Sequence, residues 1–477
     1  MTATVTDLFC GAGGSSLGAE AAGMQLKMAA NHWATAIDVH QSHFPEAGHD
    51  CADISAADPR RYPATDVLLA SPECTNHSQA RGVSRGAQQP GLFDAPDPAA
   101  VKSRATMWDV PRFAEQLRYD SIVVENVVEA TKWVNWGSWS MAMEELGYER
   151  KILSFNSRHF GVAQSRDRIY VVFWRKGAPA PDLELEVSGF CSRCDRVGPA
   201  RQAWKNGRTV GKFGTQWVWA CTDCGTEATV ATPGADTILD FDLPCPRIGD
   251  RKRPLAAKTR ARILAGLERH GWVPVVTVGA GNGFERTPGN RSKPLGEPIP
   301  VQTTTACHAL ATPPDSILFN TAHQGRTREM TEPHPTVCAS DDRWSLLKPG
   351  ALLMRNNKGG AEMVTSVTEP ARTMTTTQNQ SLLLPYYGNT TARSVDAPMP
   401  TVTTKDRCAL IDPEQVVDDC GFRMLEPQEI SAAMAFPADY IPVELSKTDR
   451  VKLAGNAVTP PVQQWICGRV LQAFESA

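Results

Sequence analysis

Short apolar runs that end in polar or glycine-bearing turns mark the first third of the chain. Residues 4–9 (Thr-Val-Thr-Asp-Leu-Phe) predict a first strand, and Cys10-Gly11-Ala12-Gly13-Gly14-Ser15-Ser16-Leu17-Gly18 a glycine-rich turn into a helix that runs on through Ala22. Glycines there let the backbone approach a ligand, with helix-start amides facing it. The spacing is GxGG, not the GxGxxG of dinucleotide sites. Ala29-Ala30-Asn31-His32-Trp33 reads as the end of a second strand, and Cys51-Ala52-Asp53-Ile54 as the end of a third. Asp66-Val67-Leu68-Leu69 is a buried strand leading into Ala70-Ser71-Pro72-Glu73-Cys74, and Ile122-Val123-Val124 is another, ending in Glu125-Asn126-Val127. In nucleoside-binding α/β folds such strand ends carry the site. Trp33 is then a stacking surface for a base, Asp53 an acceptor for an amino group, and Cys74 a candidate nucleophile. Each has a plainer alternative as a core ring, a loop acid or a small buried thiol.

After Val171-Val172-Phe173-Trp174 the pattern changes, and residues 177–181 read as a linker. Cys191-Ser192-Arg193-Cys194 and Cys221-Thr222-Asp223-Cys224 form two CxxC pairs with 26 residues between them. Flanking predicted strands at 209–213 and 216–220, they suit a closed tetrahedral zinc site of the ribbon type. Arg193, Arg196, Arg201, Lys205 and Arg208 are available there for phosphates, or form a solvated basic face. Residues 252–269 predict a helix with Leu255, Ile263, Leu264 and Leu267 as its apolar positions. An imperfect repeat begins at Glu297, Glu332, Glu369 and Asp396, with starts 35, 37 and 27 residues apart, and short apolar strands such as 316–319 and 381–384 follow its copies. We read repeated β units whose loops present Arg286, Arg291, Arg326, Arg328, Arg355, Lys358 and Arg393, suited to groove reading.

Composition adds limits. The 477 residues are 42% hydrophobic and 21% charged, enough for two or more cores, and a net charge of −3 gives no global sign of nucleic acid. No apolar run approaches membrane-spanning length, and 13 cysteines, mostly scattered singly, suit a reducing compartment. The expectation is a cytoplasmic, monomeric protein with no membrane partner.

Taken in order, these blocks resemble the DNA cytosine carbon-5 methyltransferase family. Asp7-Leu8-Phe9-Cys10-Gly11-Ala12-Gly13-Gly14 matches its S-adenosylmethionine loop, Cys74 its nucleophile, Glu125-Asn126-Val127 its Glu-Asn-Val block and Gln164-Ser165-Arg166-Asp167-Arg168 its Gln-x-Arg-x-Arg block. Residues 423–429 with Phe436-Pro437 resemble the ninth block, and Gly455-Asn456-Ala457-Val458 the tenth. The resemblance implies a Rossmann-like class I methyltransferase domain built from residues 1–178 and 421–477, with a target-recognition insert at 179–420 that holds the zinc ribbon (about 187–230) and the β repeats (about 273–412).

It also implies residue roles. Cys74, Glu125, Arg166 and Arg168 become catalytic; Phe9, Gly11, Gly13, Gly14, His32, Trp33, Asp53, Ile54, Asn456 and Val458 bind S-adenosylmethionine; Cys191, Cys194, Cys221 and Cys224 hold structural zinc. The substrate is cytosine in double-stranded DNA, flipped out of the stack, and residues 79–91 look like a lid. A paired restriction endonuclease in the host is compatible with this. Two positions depart from the pattern: Glu73 stands where the family usually has Pro, and His32 where it has a ribose-binding acid. They keep open an RNA or modified-pyrimidine substrate, an altered donor, or a silent DNA-binding module.

Overall fold

The computed structural model describes residues 2–72, 106–271, 273–279, 287–313 and 417–476, and the backbone of short strands between 317 and 411. Cys74, Glu73, the 79–91 segment and most repeat loops lie outside the described residues. The chain divides into two units: Met1–Leu239 with Gly296–Ala306 and Glu426–Ala477, and Asp240–Leu295 with Cys307–Leu425.

The first unit is built on a seven-stranded sheet. Its strands are β1 (Thr4–Leu8), β2 (Gln25–Asn31), β3 (Gly48–Cys51), β4 (Val67–Ala70), β5 (Ser121–Asn126), β6 (Tyr148–Asn156) and, beyond the two-residue β7 (Gln164–Ser165), β8 (Asp167–Arg175). The order is β3-β2-β1-β4-β5-β8-β6. The first five run parallel, and β8 lies antiparallel to both β5 and β6. Strict alternation explains why both faces are covered. Val67, Leu69, Val123 and Val172 join one core with Ala19 of α1 (Gly14–Ala21). Leu68, Ile122, Val124, Val171 and Phe173 join the other with Phe113 of α3 (Asp109–Leu117) and Trp139 of α4 (Trp136–Glu145). Between them in the chain, α2 (Ala34–His43) connects β2 to β3.

The same unit holds a second sheet, β11-β10-β9-β12, made of β9 (Glu186–Cys191), β10 (Arg196–Trp204), β11 (Trp217–Cys221) and β12 (Ala228–Thr229). This corrects the expectation of a strand at 209–213, which is a loop apart from an isolated bridge at Phe213. The Gly211 amide donates to the Ser154 hydroxyl of β6 instead of joining a ladder. The expected boundaries also differ from the observed partition. The cysteine-bearing sheet and residues 296–306 belong with the first unit, where β15 (Ile299–Pro300) pairs with β7.

In the second unit, α5 (Ala257–Arg269) packs Ile263, Leu264 and Leu267 against Val275, Ala309, Ala311 and Phe422. Those come from the sheet of β13 (Val275–Val278), β14 (Lys293–Pro294), β16 (His308–Thr312) and β24 (Gly421–Met424). The helix begins five residues later than expected, after Pro254. β17 (Ile317–Asn320) pairs with β18 (Thr327–Glu329) and β19 (Trp344–Leu347). β20 (Leu352–Arg355), β21 (Val364–Ser366), β22 (Gln380–Pro385) and β23 (Cys408–Ile411) form a further sheet. The chain returns to the first unit as α6 (Pro427–Ala432), α7 (Lys447–Asn456) and α8 (Pro460–Glu475), the last packing on α1. No helix among the described residues is long and apolar enough to cross a membrane.

Candidate active site

The strand order reverses between β1 and β4, and both strands end in segments that carry the motifs. Beyond β1 the backbone turns sharply: Phe9, Gly11 and Gly13 have φ of 62°, 54° and 96°. A Cβ at Gly11 would meet nothing within 4 Å, so this side of the loop is open to a closely approaching ligand. Gly13 and Gly14 are required for another reason. A Cβ there would lie 2.8 Å from the Tyr440 hydroxyl and 2.0 Å from the Val458 carbonyl oxygen, respectively. Tyr440 also donates to the Ala12 carbonyl at 2.8 Å, so the C-terminal segment closes this corner. Beneath it the Ser15 and Ser16 hydroxyls reach Asp7 Oδ2, and burial raises the Asp7 carboxyl to about 6.

The other expected cofactor residues are spread along neighbouring strand ends. Trp33 follows β2, its amide donating to Asn31 Oδ1, and the Lys452 ammonium of α7 sits 3.9 Å from its ring centroid. His32 is exposed. Asp53 accepts from the Ser55 amide and caps a short 3₁₀ turn, while Ile54 is buried in the core beside Met107. Asn456 is exposed at the end of α7, and Val458 contributes its carbonyl oxygen against Gly14.

A second corner forms where β4, β5 and β8 meet. Asn126 donates through Nδ2 to the Pro72 carbonyl at 3.3 Å, fixing the backbone two residues before the position of Cys74. Glu125 Oε1 and Arg168 Nε form an ion pair at 2.9 Å, with side chains only 12% and 15% exposed. The register makes this contact: Glu125 faces Tyr170 across β5 and β8, which brings Arg168 alongside it. Arg166 is placed differently from its expected role. It is 4% exposed and donates to the carbonyls of Gln302, Gly455 and Ala457, tying three segments together.

Asp167, between the two arginines, accepts from the Phe213 amide at 2.9 Å and the Asn156 side chain at 3.1 Å, and burial raises its pKa. Sequence reasoning missed Asp167, Tyr440 and Lys452. Only Asp167 carried a signal, its place inside a motif.

In the smaller sheet the four thiols of Cys191, Cys194, Cys221 and Cys224 lie within 4.8 Å of one another. Pairs stand 3.4 Å (Cys191 and Cys224) and 4.0 Å (Cys194 and Cys221) apart. Four sulfurs about 2.3 Å from one tetrahedral ion would be roughly 3.8 Å apart, so this donor set fits zinc.

Residues 3–190 match the family model for C-5 cytosine-specific DNA methylase, and they contain both corners apart from their C-terminal supports. Over these residues the chain is similar to the C-5 cytosine-specific DNA methylase family. The type II methyltransferase M.HgiBI of Herpetosiphon aurantiacus is 33% identical over 190 residues, 39% of this chain and 38% of that protein. The type II methyltransferase M.HhaI of Haemophilus parahaemolyticus is 28% identical over 174 residues, 35% and 48% of the two chains. The matched stretch thus spans less than half the length of these curated relatives. The structure of S. pombe Dnmt2 methyltransferase aligns with a TM-score of 0.47 at 11% identity, over 99% of each chain.

Proposed function

We propose that the chain methylates carbon 5 of cytosine in double-stranded DNA, with Cys74 adding to carbon 6 of a flipped base. The observation that carries this reading is the second corner. The Glu-Asn-Val and Arg-x-Arg blocks converge on the end of β4, with Asn126 holding Pro72 and Arg168 holding Glu125. Addition of the thiolate puts negative charge on the ring, and Glu125, in its carboxylic acid form with a proton taken from solvent, relieves it by donating to ring nitrogen 3. Arg168 keeps that carboxyl aimed and supplies positive charge beside the thiol. Arg166 acts by holding the segments around it.

S-adenosylmethionine supplies the methyl group on its sulfonium. The open side of Gly11 would admit it at the first corner, where Phe9, Trp33, Asp53, Ile54 and Asn456 would line its site. Carbon 5, now nucleophilic, takes the methyl as the S–CH3 bond breaks and the donor leaves as a neutral thioether; loss of the carbon 5 proton to solvent then restores the ring double bond and expels the Cys74 thiolate. Zinc held by Cys191, Cys194, Cys221 and Cys224 is structural and makes the small sheet a ribbon. The second unit, with its strand pairs and the loops between them, is the target-recognition part.

A second reading, a donor carrying an added anionic group, is favoured by one observation. His32 and Lys452 flank Trp33 where the family has an acid.

The deciding test incubates the protein with duplex DNA and S-adenosylmethionine, digests the DNA and weighs the cytidine. A gain of one CH2, absent with Cys74→Ser, is expected. No gain while donor and DNA both bind would refute methylation and point to an altered donor or a silent binder.

A further inference from the structure

The ribbon does more than fold beside the methylase sheet. Strand β10 and the β10–β11 loop reach back to β6 and β8 at three polar points. Gly211 N–H donates to Ser154 Oγ at 3.2 Å, Gln202 Nε2 to the Ser154 carbonyl at 2.9 Å, and Phe213 N–H to Asp167 Oδ1 at 2.9 Å. A fourth tie is ionic: Lys212 pairs at 2.6 Å with Glu129, which lies in the 3₁₀ turn just after Glu125. Beneath these contacts the His159 ring sits among Phe213, Trp217 and Trp219.

Asp167 is the first residue of β8, and Arg168 follows it, with Arg168 Nη1 donating to the Asp167 carbonyl. The strand end that aims Arg168 at Glu125 is therefore fastened from the ribbon side. The ribbon has little of its own to hold it, since its buried core is Ala200, Trp217, Trp219 and Ala228. A sheet with so small a core depends on its metal cross-link for order.

We propose that the ribbon is a positioning element for the Glu125–Arg168 pair, acting through the positioning residue Asp167, so that turnover depends on metal at the four cysteines. The proposal rests on the methyl-transfer reading for its kinetic arm only. Full-length protein loaded with zinc is compared with protein stripped by a chelator under reducing conditions. On stripping, amide exchange rises at Phe213 and across residues 154–156 and 165–168, and kcat falls on the order of 100-fold, the cost of a misplaced catalytic group. Donor KM stays within about twofold, because the glycine corner is supported from the C-terminal segment instead. Adding zinc back restores both.

Asp167→Ala in zinc-loaded protein lowers kcat likewise, with zinc content and donor KM unchanged. Asp167→Asn, which keeps one acceptor oxygen, retains most turnover. Unchanged exchange on zinc removal, or full turnover in zinc-loaded Asp167→Ala, would overturn the proposal. If zinc-loaded wild-type protein methylates no DNA, the methyl-transfer reading fails, and the exchange measurements still decide the coupling.

Discussion

The two corners of the seven-stranded sheet lie beyond neighbouring strands, yet they are supported in different ways. The glycine corner is closed by atoms packed on backbone: the Val458 carbonyl oxygen against Gly14, and Tyr440 against Gly13 and the Ala12 carbonyl. The Glu125–Arg168 corner is closed by polar ties: Arg166 to three carbonyls, Asn126 to Pro72, and Asp167 to the loop between β10 and β11. Backbone packing tolerates almost no added atom. Polar ties can be weakened one at a time, so the second corner is the adjustable one.

The sharpest way to break this comparison is Gly14→Ala. Its Cβ would sit 2.0 Å from a carbonyl oxygen that belongs to the backbone and has no rotamer to move to. Overpacking typically costs about 1–3 kcal/mol and occasionally more, and a clash with backbone that cannot turn aside belongs at or above the top of that range. Denaturant unfolding should show the loss, or the variant should fail to fold. A fully stable Gly14→Ala would mean that the C-terminal segment moves easily and that the first corner is not the rigid one.

Arg166→Met tests the second corner. The substitution keeps a similar apolar reach and strips the donors from the Gln302, Gly455 and Ala457 carbonyls in a buried setting. Unmet buried acceptors cost roughly 1 kcal/mol each at the low end, so a loss of about 3 kcal/mol is expected by denaturant unfolding. Arg166→Lys, with a single ammonium, should lie between. Equal stability of all three proteins would show that Arg166 is not a structural tie.

What the sequence made legible follows the same division. Unbroken apolar runs such as Val67-Leu68-Leu69 and Ile122-Val123-Val124 announce strands buried on both faces, and they are so placed. The glycine turn and the Glu-Asn-Val and Arg-x-Arg blocks are local strings that can be read without the fold, whereas the pairing of Glu125 with Arg168 is a cross-strand contact that they do not state. Contacts that cross the chain leave no periodicity. Nothing in Thr209-Val210-Gly211-Lys212-Phe213 says that its amides bond to Ser154 and Asp167, and its β-branched residues suggested a strand instead. Arg166 and Arg168 look equivalent in the motif. Only the fold separates the one bonded to carbonyls from the one paired with Glu125.

The smallest expected effect concerns protons under the glycine corner. A chain of hydrogen bonds runs from Asp7 through Ser16 to His40 (3.0 Å), on to His49 (2.8 Å) and out to the Ala47 carbonyl (3.0 Å). Burial raises Asp7 from 3.8 to about 6, so the folded protein keeps a proton that the unfolded chain has lost. Stability from this group falls as pH rises between those values. Burial, with His49 and His43 nearby, lowers His40 from 6.5 to about 3. The unfolded chain then binds the extra proton, and stability from this group rises with pH over that window.

The two slopes oppose each other between about pH 4 and 6 and leave the wild-type protein nearly flat there with respect to this pair. Asp7→Asn removes one of them. The variant should therefore gain stability steadily from pH 4 to 6.5, by roughly 2 kcal/mol relative to wild type, in unfolding midpoints measured across that range. Parallel curves for the two proteins would show that Asp7 stays ionised in the fold, and that the first corner rests on a fixed charge as well as on packing.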